Sequence, residues 1–163
     1  MRLNLIPVLC LVLLVLQGCA TNPVTGKQDF VIMSEGQELA MGRQANAQII
    51  QQMPMVDNPK LQAYVQKIGE QLARNSHRSN LEYHFQVVDS ADINAFALPG
   101  GYIYMNRGLM AYLNSEAELA AVLGHEIGHV TARHGVRQQS IAMGTNLLGQ
   151  LVSIGTGIPA AGD

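Results

Sequence analysis

His125, Glu126 and His129 are the residues whose types and spacing could do chemistry in this chain. They stand in the run His125-Glu126-Ile127-Gly128-His129, which reads H-E-x-x-H. On a helix, positions i and i+4 lie one turn apart on one face, so two imidazoles at that spacing can grip a single metal ion. A glutamate beside the first histidine can reach a water bound to that ion and act as its general base. The chemistry on offer is metal-assisted hydrolysis, with one Zn2+ as the expected ion.

The element that must position these residues is a helix, and the flanking sequence supplies it. Ser115-Glu116-Ala117-Glu118 reads as a capping box, with serine at the N-cap and glutamate at N3. At about 100° per residue, Leu119, Leu123, Ile127 and Val130 share one apolar face, and His125 and His129 lie well away from it. The helix can therefore bury one side and offer the other to a metal. Ala120, Gly124 and Gly128 form a third stripe. Each glycine costs about 1 kcal/mol against alanine in a helix interior, so this stripe is expected to lie close to another backbone, that of the hairpin described below.

A catalytic zinc takes three protein ligands and keeps one open position. His134 is one residue too early for the longer H-E-x-x-H-x-x-G-x-x-H pattern, whose last two slots hold Ala132 and Gly135 here. If the helix runs on, as expected over 130–151, His134 sits about 140° around from His129 and about 180° from His125 and cannot join them. After Glu126 there is no further glutamate, and the only aspartate is Asp163. Asp163, Glu116 and Glu118 are poor candidates for a third ligand. The reading is of a chain that stops short of the remaining ligand helix.

Upstream, Ser34-Glu35-Gly36-Gln37 is another capping box and opens a helix expected to run to about Gln52, ahead of Pro54. Asp57-Asn58-Pro59 starts a second helix, with Leu61, Tyr64, Val65, Ile68 and Leu72 at helical spacing. Residues 74–80 form a polar loop carrying His77. Residues 82–89 alternate, with Tyr83, Phe85 and Val87 on the core face and His84 toward solvent. Residues 92–105 predict two antiparallel strands, 93–98 and 102–105, joined at Pro99-Gly100-Gly101. The first of these could be an edge strand that pairs with an extended peptide. A short helix over 106–113 precedes Ser115.

Composition narrows the class. The 163 residues suit one domain, and the formal net charge of -2 with no basic cluster argues against nucleic acid as a partner. Both cysteines, Cys10 and Cys19, fall in the first twenty residues. Arg2 and the apolar run Leu3 to Leu16 read as the n- and h-regions of a signal peptide over residues 1–18. Leu16-Gln17-Gly18-Cys19 resembles the bacterial lipobox. That implies cleavage before Cys19, lipid on its thiol and a membrane anchor. Ala20 at the next position favours the outer membrane, facing the periplasm. Residues 19–33 then form a tether, turn-rich at Asn22-Pro23 and Thr25-Gly26, with a short strand-like run over 29–33. The domain proper is expected to begin at Ser34.

The runs INAFALPGGYIYMNRGLM and SEAELAAVLGHEIGHVTARH, with NPVTGK near the N-terminus, resemble the HtpX/BepA-like zinc metallopeptidases, gluzincins of peptidase family M forty-eight. The resemblance covers residues 20–150. It implies an α+β, zincin-like domain, mostly helical, with a small mixed sheet packed on the active-site helix. It implies His125 and His129 as zinc ligands, Glu126 as catalytic base, and Asn94, Ala95 and Phe96 on the strand that holds a peptide. It implies a third ligand from an E-x-x-x-D helix that these residues do not contain, and a role other than zinc ligation for His134. The expected function is a zinc endopeptidase acting on misfolded or misassembled envelope proteins. The alternative is a catalytically incomplete envelope lipoprotein that binds unfolded clients or an assembly machine.

Overall fold

The computed structural model describes the backbone of residues 19–156 and the side chains of 20–147. The expected signal peptide and the thiol of Cys19 lie outside them. In chain order the elements are β1 (Cys19–Thr21), β2 (Gln28–Phe30), α1 (Glu35–Gln52), α2 (Pro59–Ala73), β3 (His84–Val88), β4 (Ala95–Leu98), β5 (Tyr102–Asn106), α3 (Arg107–Met110), α4 (Glu116–Thr131) and α5 (His134–Thr156). The fold is α+β, helices around a small sheet. Among the described residues no helix is long and apolar enough to cross a membrane.

Local chemistry explains where the helices start. Ser34 caps α1 through its Oγ, which accepts from the Gln37 N–H, while the Gln37 side chain accepts from the Ser34 N–H at 2.8 Å. A cap of this kind contributes about 1 kcal/mol. Asn58 caps α2, its Oδ1 accepting from Leu61 N–H at 3.1 Å, with Pro59 in the first turn. Val65 and Ile68 of α2 are buried as expected. Tyr64 is not in the core: it is exposed, and its hydroxyl donates to Glu116 at 2.8 Å.

The sheet has the order β3-β5-β4, with β3 parallel and β4 antiparallel to the central β5. The expected hairpin is present. Its turn depends on Gly100 and Gly101, both at positive φ (77° and 94°), where L side chains are strained. A Cβ on Gly101 would also collide with the Glu82 carbonyl oxygen. His84 is half-buried rather than solvent-facing, because its ring stacks on Tyr102 of the neighbouring strand at 4.8 Å.

Helix α4 lies against this sheet and α2. Leu119, Leu123, Ile127 and Val130 share one buried cluster with Val65, Ile68, Phe85, Val87, Ile103 and Met105. Each such side chain contributes about 1.5–3 kcal/mol on burial. The expectation for Gly124 and Gly128 fails: a Cβ on either would meet nothing within 4 Å. The leucine face takes the packing, and both glycines point away from it. The close helix–turn approach lies elsewhere, at Gly42 of α1, where a Cβ would run into the carbonyl of Pro99.

Two segments depart from the sequence reading. Residues 19–30, expected as a tether, form a β1–β2 hairpin in which Asn22 is buried; the strand expected over 29–33 is Gln28–Phe30. The helix expected to continue through residue 134 breaks at Ala132 and Arg133, Arg133 adopting φ 56°.

Candidate metal centre

Helix α4 carries the three motif residues about three turns in from its N-terminus. Ser115 Oγ accepts from Glu118 N–H at 3.2 Å, as a cap should. The second half of the expected capping box is displaced by one residue: Glu118 accepts from the Asn114 N–H at 2.6 Å, not from Ser115. Glu116 is held by Tyr64 and Glu118 by Asn114. Both therefore stay at the head of the helix, away from the histidines.

His125 and His129 stand one above the other, their Nε2 atoms 3.0 Å apart and their rings 4.7 Å apart at 70°. Two zinc–nitrogen bonds of about 2.0–2.1 Å at a tetrahedral angle separate the nitrogens by about 3.3 Å. The pair fits one such ion within a few tenths of an ångström. Glu126, 8% exposed, lines the same cleft of ≈ 490 Å³ as both histidines. Among the described residues, no group of three or more His, Cys, Asp or Glu side chains is set to hold an ion.

His134 also lines this cleft. The angular reason for setting it aside fails, since the helix does not continue. Its ring lies 4.9 Å from that of His129, with the two Nδ1 atoms 2.9 Å apart. The contact is with the far side of His129, opposite the nitrogen that faces His125.

The end of α4 is fastened by groups from three parts of the chain. Glu38 of α1, 1% exposed, accepts from Arg78 NH1 at 2.6 Å and from Arg133 Nε at 2.9 Å. Arg78 also reaches the carbonyl of Val130 at 3.4 Å, and Asn22 Nδ2 that of Ala132 at 3.3 Å. The Ala132 carbonyl is one that a helix end leaves without an intrahelical partner, the Val130 carbonyl already accepts from Arg133 N–H at 3.1 Å, and a cation there suits the helix dipole. Burial alone would lower the Arg78 pKa, but the hydrogen bond and charge of Glu38 raise it on balance. Glu38, Arg78, Arg133 and Asn22 were not anticipated. The one available signal was that Glu38 and Gly42 share a face of α1, the face that is buried.

Strand β4 forms another wall. Ala95, Phe96, Ala97 and Leu98 all line the cleft. Asn94, expected on the strand, precedes it and is exposed, although its carbonyl accepts from Asn106 N–H at 2.9 Å. In an antiparallel pair, bonded and non-bonded residues alternate. With Asn94 bonded toward β5, Phe96 is too, and the peptide groups of Ala95 and Ala97 point to the outer edge.

The opposite edge of the sheet is closed. The Gln62 amide accepts from Val87 N–H at 2.9 Å and donates to Val87 and Val56 carbonyls at 2.9 and 3.0 Å. Gln66 accepts from Phe85 N–H at 2.7 Å and donates to the Tyr83 carbonyl at 3.0 Å. Two glutamine side chains of α2 thus stand in for a strand beside β3.

A model described as Peptidase family M48 matches residues 59–162. The chain is 37% identical over 115 residues to the beta-barrel assembly-enhancing protease of Yersinia pestis, covering 71% of this chain and 24% of that protein. It is 34% identical over 117 residues to the protein of the same name in Escherichia coli (strain K12), covering 72% and 24%. It is 38% identical over 80 residues to the mitochondrial metalloendopeptidase OMA1 of Arabidopsis thaliana, covering 49% and 16%. The chain thus spans about a quarter of the length of the bacterial relatives it matches.

Proposed function

The chain belongs to peptidase family M48, and on that footing we propose that it carries the core of a zinc metalloendopeptidase of the bacterial cell envelope. His125 and His129 are the two zinc ligands it contributes, and Glu126 is the general base. The observation that carries this reading is the 3.0 Å pairing of the two Nε2 atoms, with Glu126 in the same cleft. Bound there, zinc would lower the pKa of its water toward about 7 and polarise the scissile carbonyl. Glu126 would accept a proton from the attacking water and pass it to the leaving amine. Its burial keeps the carboxylate close to the reacting atoms and limits competing bulk water.

The substrate is an extended polypeptide laid along the outer edge of β4. Its peptide groups pair with those of Ala95 and Ala97, and Phe96 contributes a wall. Asn94 lies just before the paired stretch. Only a chain without its own strand partners can bind in this way, which favours misfolded or misassembled proteins as substrates. The sequence features at residues 1–19 support lipid attachment at Cys19 and residence on the outer membrane, facing the periplasm. Relatives named for beta-barrel assembly are in keeping with that setting.

The test is made on the full-length gene product. Glu126→Gln should keep one Zn2+ per chain and lose casein cleavage by at least about 100-fold, the usual scale for a general base. Cleavage at the wild-type rate by this variant would rule out the assigned role. A wild-type protein that binds clients but no zinc would favour the non-catalytic alternative.

A further inference from the structure

The hydrolytic scheme leaves His134 without a part, yet its ring is in contact with His129. The contact depends on an unusual piece of backbone. Arg133 is the only described non-glycine residue with positive φ, at 56°. A left-handed non-glycine residue costs roughly 1–2 kcal/mol and persists only where its surroundings hold it. Here Glu38 takes the Arg133 Nε at 2.9 Å, and the Met33 carbonyl takes NH2 at 3.2 Å. With the chain turned at that point, α5 starts at His134 and returns its imidazole to His129.

Two imidazole nitrogens 2.9 Å apart share one proton: one donates and the other accepts. His129 can offer Nε2 to a metal only if its own proton sits on Nδ1. That proton then points at His134 Nδ1, which must be the acceptor. His134 is left with its proton on Nε2, and the residue is exposed. Metal-binding histidines ordinarily give their second N–H to a carboxylate, a carbonyl or water. We propose that His134 is a positioning residue for His129: its Nδ1 accepts the Nδ1–H of His129 and holds that ring in the tautomer that leaves Nε2 free for the ion. This rests on the zinc reading above. In the metal-free protein the same arrangement lets His125 Nε2–H donate to His129 Nε2 across their 3.0 Å separation.

The experiment compares wild type, His134→Phe and His134→Asn in the full-length gene product. The asparagine carbonyl can accept where Nδ1 did; phenylalanine cannot. Imidazole 15N spectra are recorded without metal, about two units above the ordinary histidine pKa of roughly 6.5. Wild type and His134→Asn should show His129 protonated on Nδ1, and His134→Phe should revert toward a mixture of tautomers. Zn2+ affinity, read by competition with a chromophoric chelator, should fall about 10–100-fold in His134→Phe and recover in large part in His134→Asn. A His134→Phe protein with wild-type affinity and wild-type His129 tautomer overturns the proposal. So does a metal-free wild type whose His129 carries its proton on Nε2, a measurement that stands even if the phenylalanine variant does not fold. A wild type that shows the Nδ1–H tautomer but binds no Zn2+ removes the metal reading, and the contact's purpose with it. One that binds Zn2+ with His129 indifferent to residue 134 overturns this proposal alone.

Discussion

Tyr104, 1% exposed in the central strand β5, joins the cleft wall to the rest of the molecule. Its hydroxyl donates to Asn46 of α1 and its ring stacks on Phe96 at 5.1 Å. Burial, and then the charge of Tyr102, push its pKa up from 10.0 to about 12. The folded protein therefore holds this proton more tightly than the unfolded chain does. The stabilisation is complete below pH 10.0 and is lost as pH rises through about 12. In a tyrosinate absorbance titration, Tyr104→Phe should remove the last group to ionise, and its unfolding free energy should fall less steeply over that range. An unchanged alkaline titration would contradict the buried assignment. Legibility at this scale followed locality. His125, Glu126 and His129 lie within one helical turn, so their grouping was readable from spacing alone. The place of His134 was not, because it follows from a bond between Arg133 and Glu38, 95 positions apart.

Most strands and helices were legible, since their periodicities and caps are local signals; the β1–β2 hairpin and the break at Ala132 and Arg133 were not. The β4–β5 hairpin, the Ser34 box and the buried face of α4 all came out of short windows. What the windows could not contain was how the sheet ends. Gln62 and Gln66 read as polar positions on the flank of an amphipathic helix. In the fold they satisfy five backbone groups, at Val56, Tyr83, Phe85 and Val87. A bare strand edge invites pairing with other chains; on the side away from the histidine pair these amides cover it, together with residues 54–56, whose backbone bonds Val87 and Asp89. Replacing both by alanine leaves the Phe85 and Val87 N–H groups and the Tyr83 carbonyl short of partners, at about 1–3 kcal/mol for each one that water cannot reach, while the Val56 and Val87 carbonyls keep the Asn58 and Val56 N–H groups. The double variant should show a lower urea midpoint and concentration-dependent association, followed by light scattering. Stability and monodispersity equal to wild type would mean the amides are dispensable. The exposure of Gly124 and Gly128 was misjudged for a related reason: a glycine stripe signals room for a close neighbour, but the neighbour itself comes from elsewhere in the chain.

Over the whole molecule, the buried carboxylate of Glu38 is the point where α1, the 74–80 loop and the end of α4 meet. Arg78 and Arg133 both depend on it. Removing one partner from a buried ionic group costs about 3–5 kcal/mol where a charge is left unanswered; without Glu38, Arg133 loses its carboxylate while Arg78 keeps Glu35 at 3.1 Å. Glu38→Ala should therefore lower unfolding free energy by that amount in a denaturant titration, a far larger effect than loss of the exposed Arg74–Glu70 pair. A change below about 1 kcal/mol would show that water compensates the arginines. The shared face with Gly42 was the only sequence mark on this residue, and a weak one, because a glutamate in a first helical turn is common for reasons of dipole alone.

The burial of Asn22 has a consequence for reach. This side chain is bonded to Ala132, just past the end of α4, and it stands only three positions after Cys19. Three extended residues span at most about 10 Å. A lipid on Cys19 would hold the protein on a very short leash, with the end of α4 riding close above the bilayer. On the function proposed above, such an enzyme would not swing out to sample the periplasmic volume. Its working territory would be a thin layer at the membrane surface, and a polypeptide would have to be at the membrane to be cut.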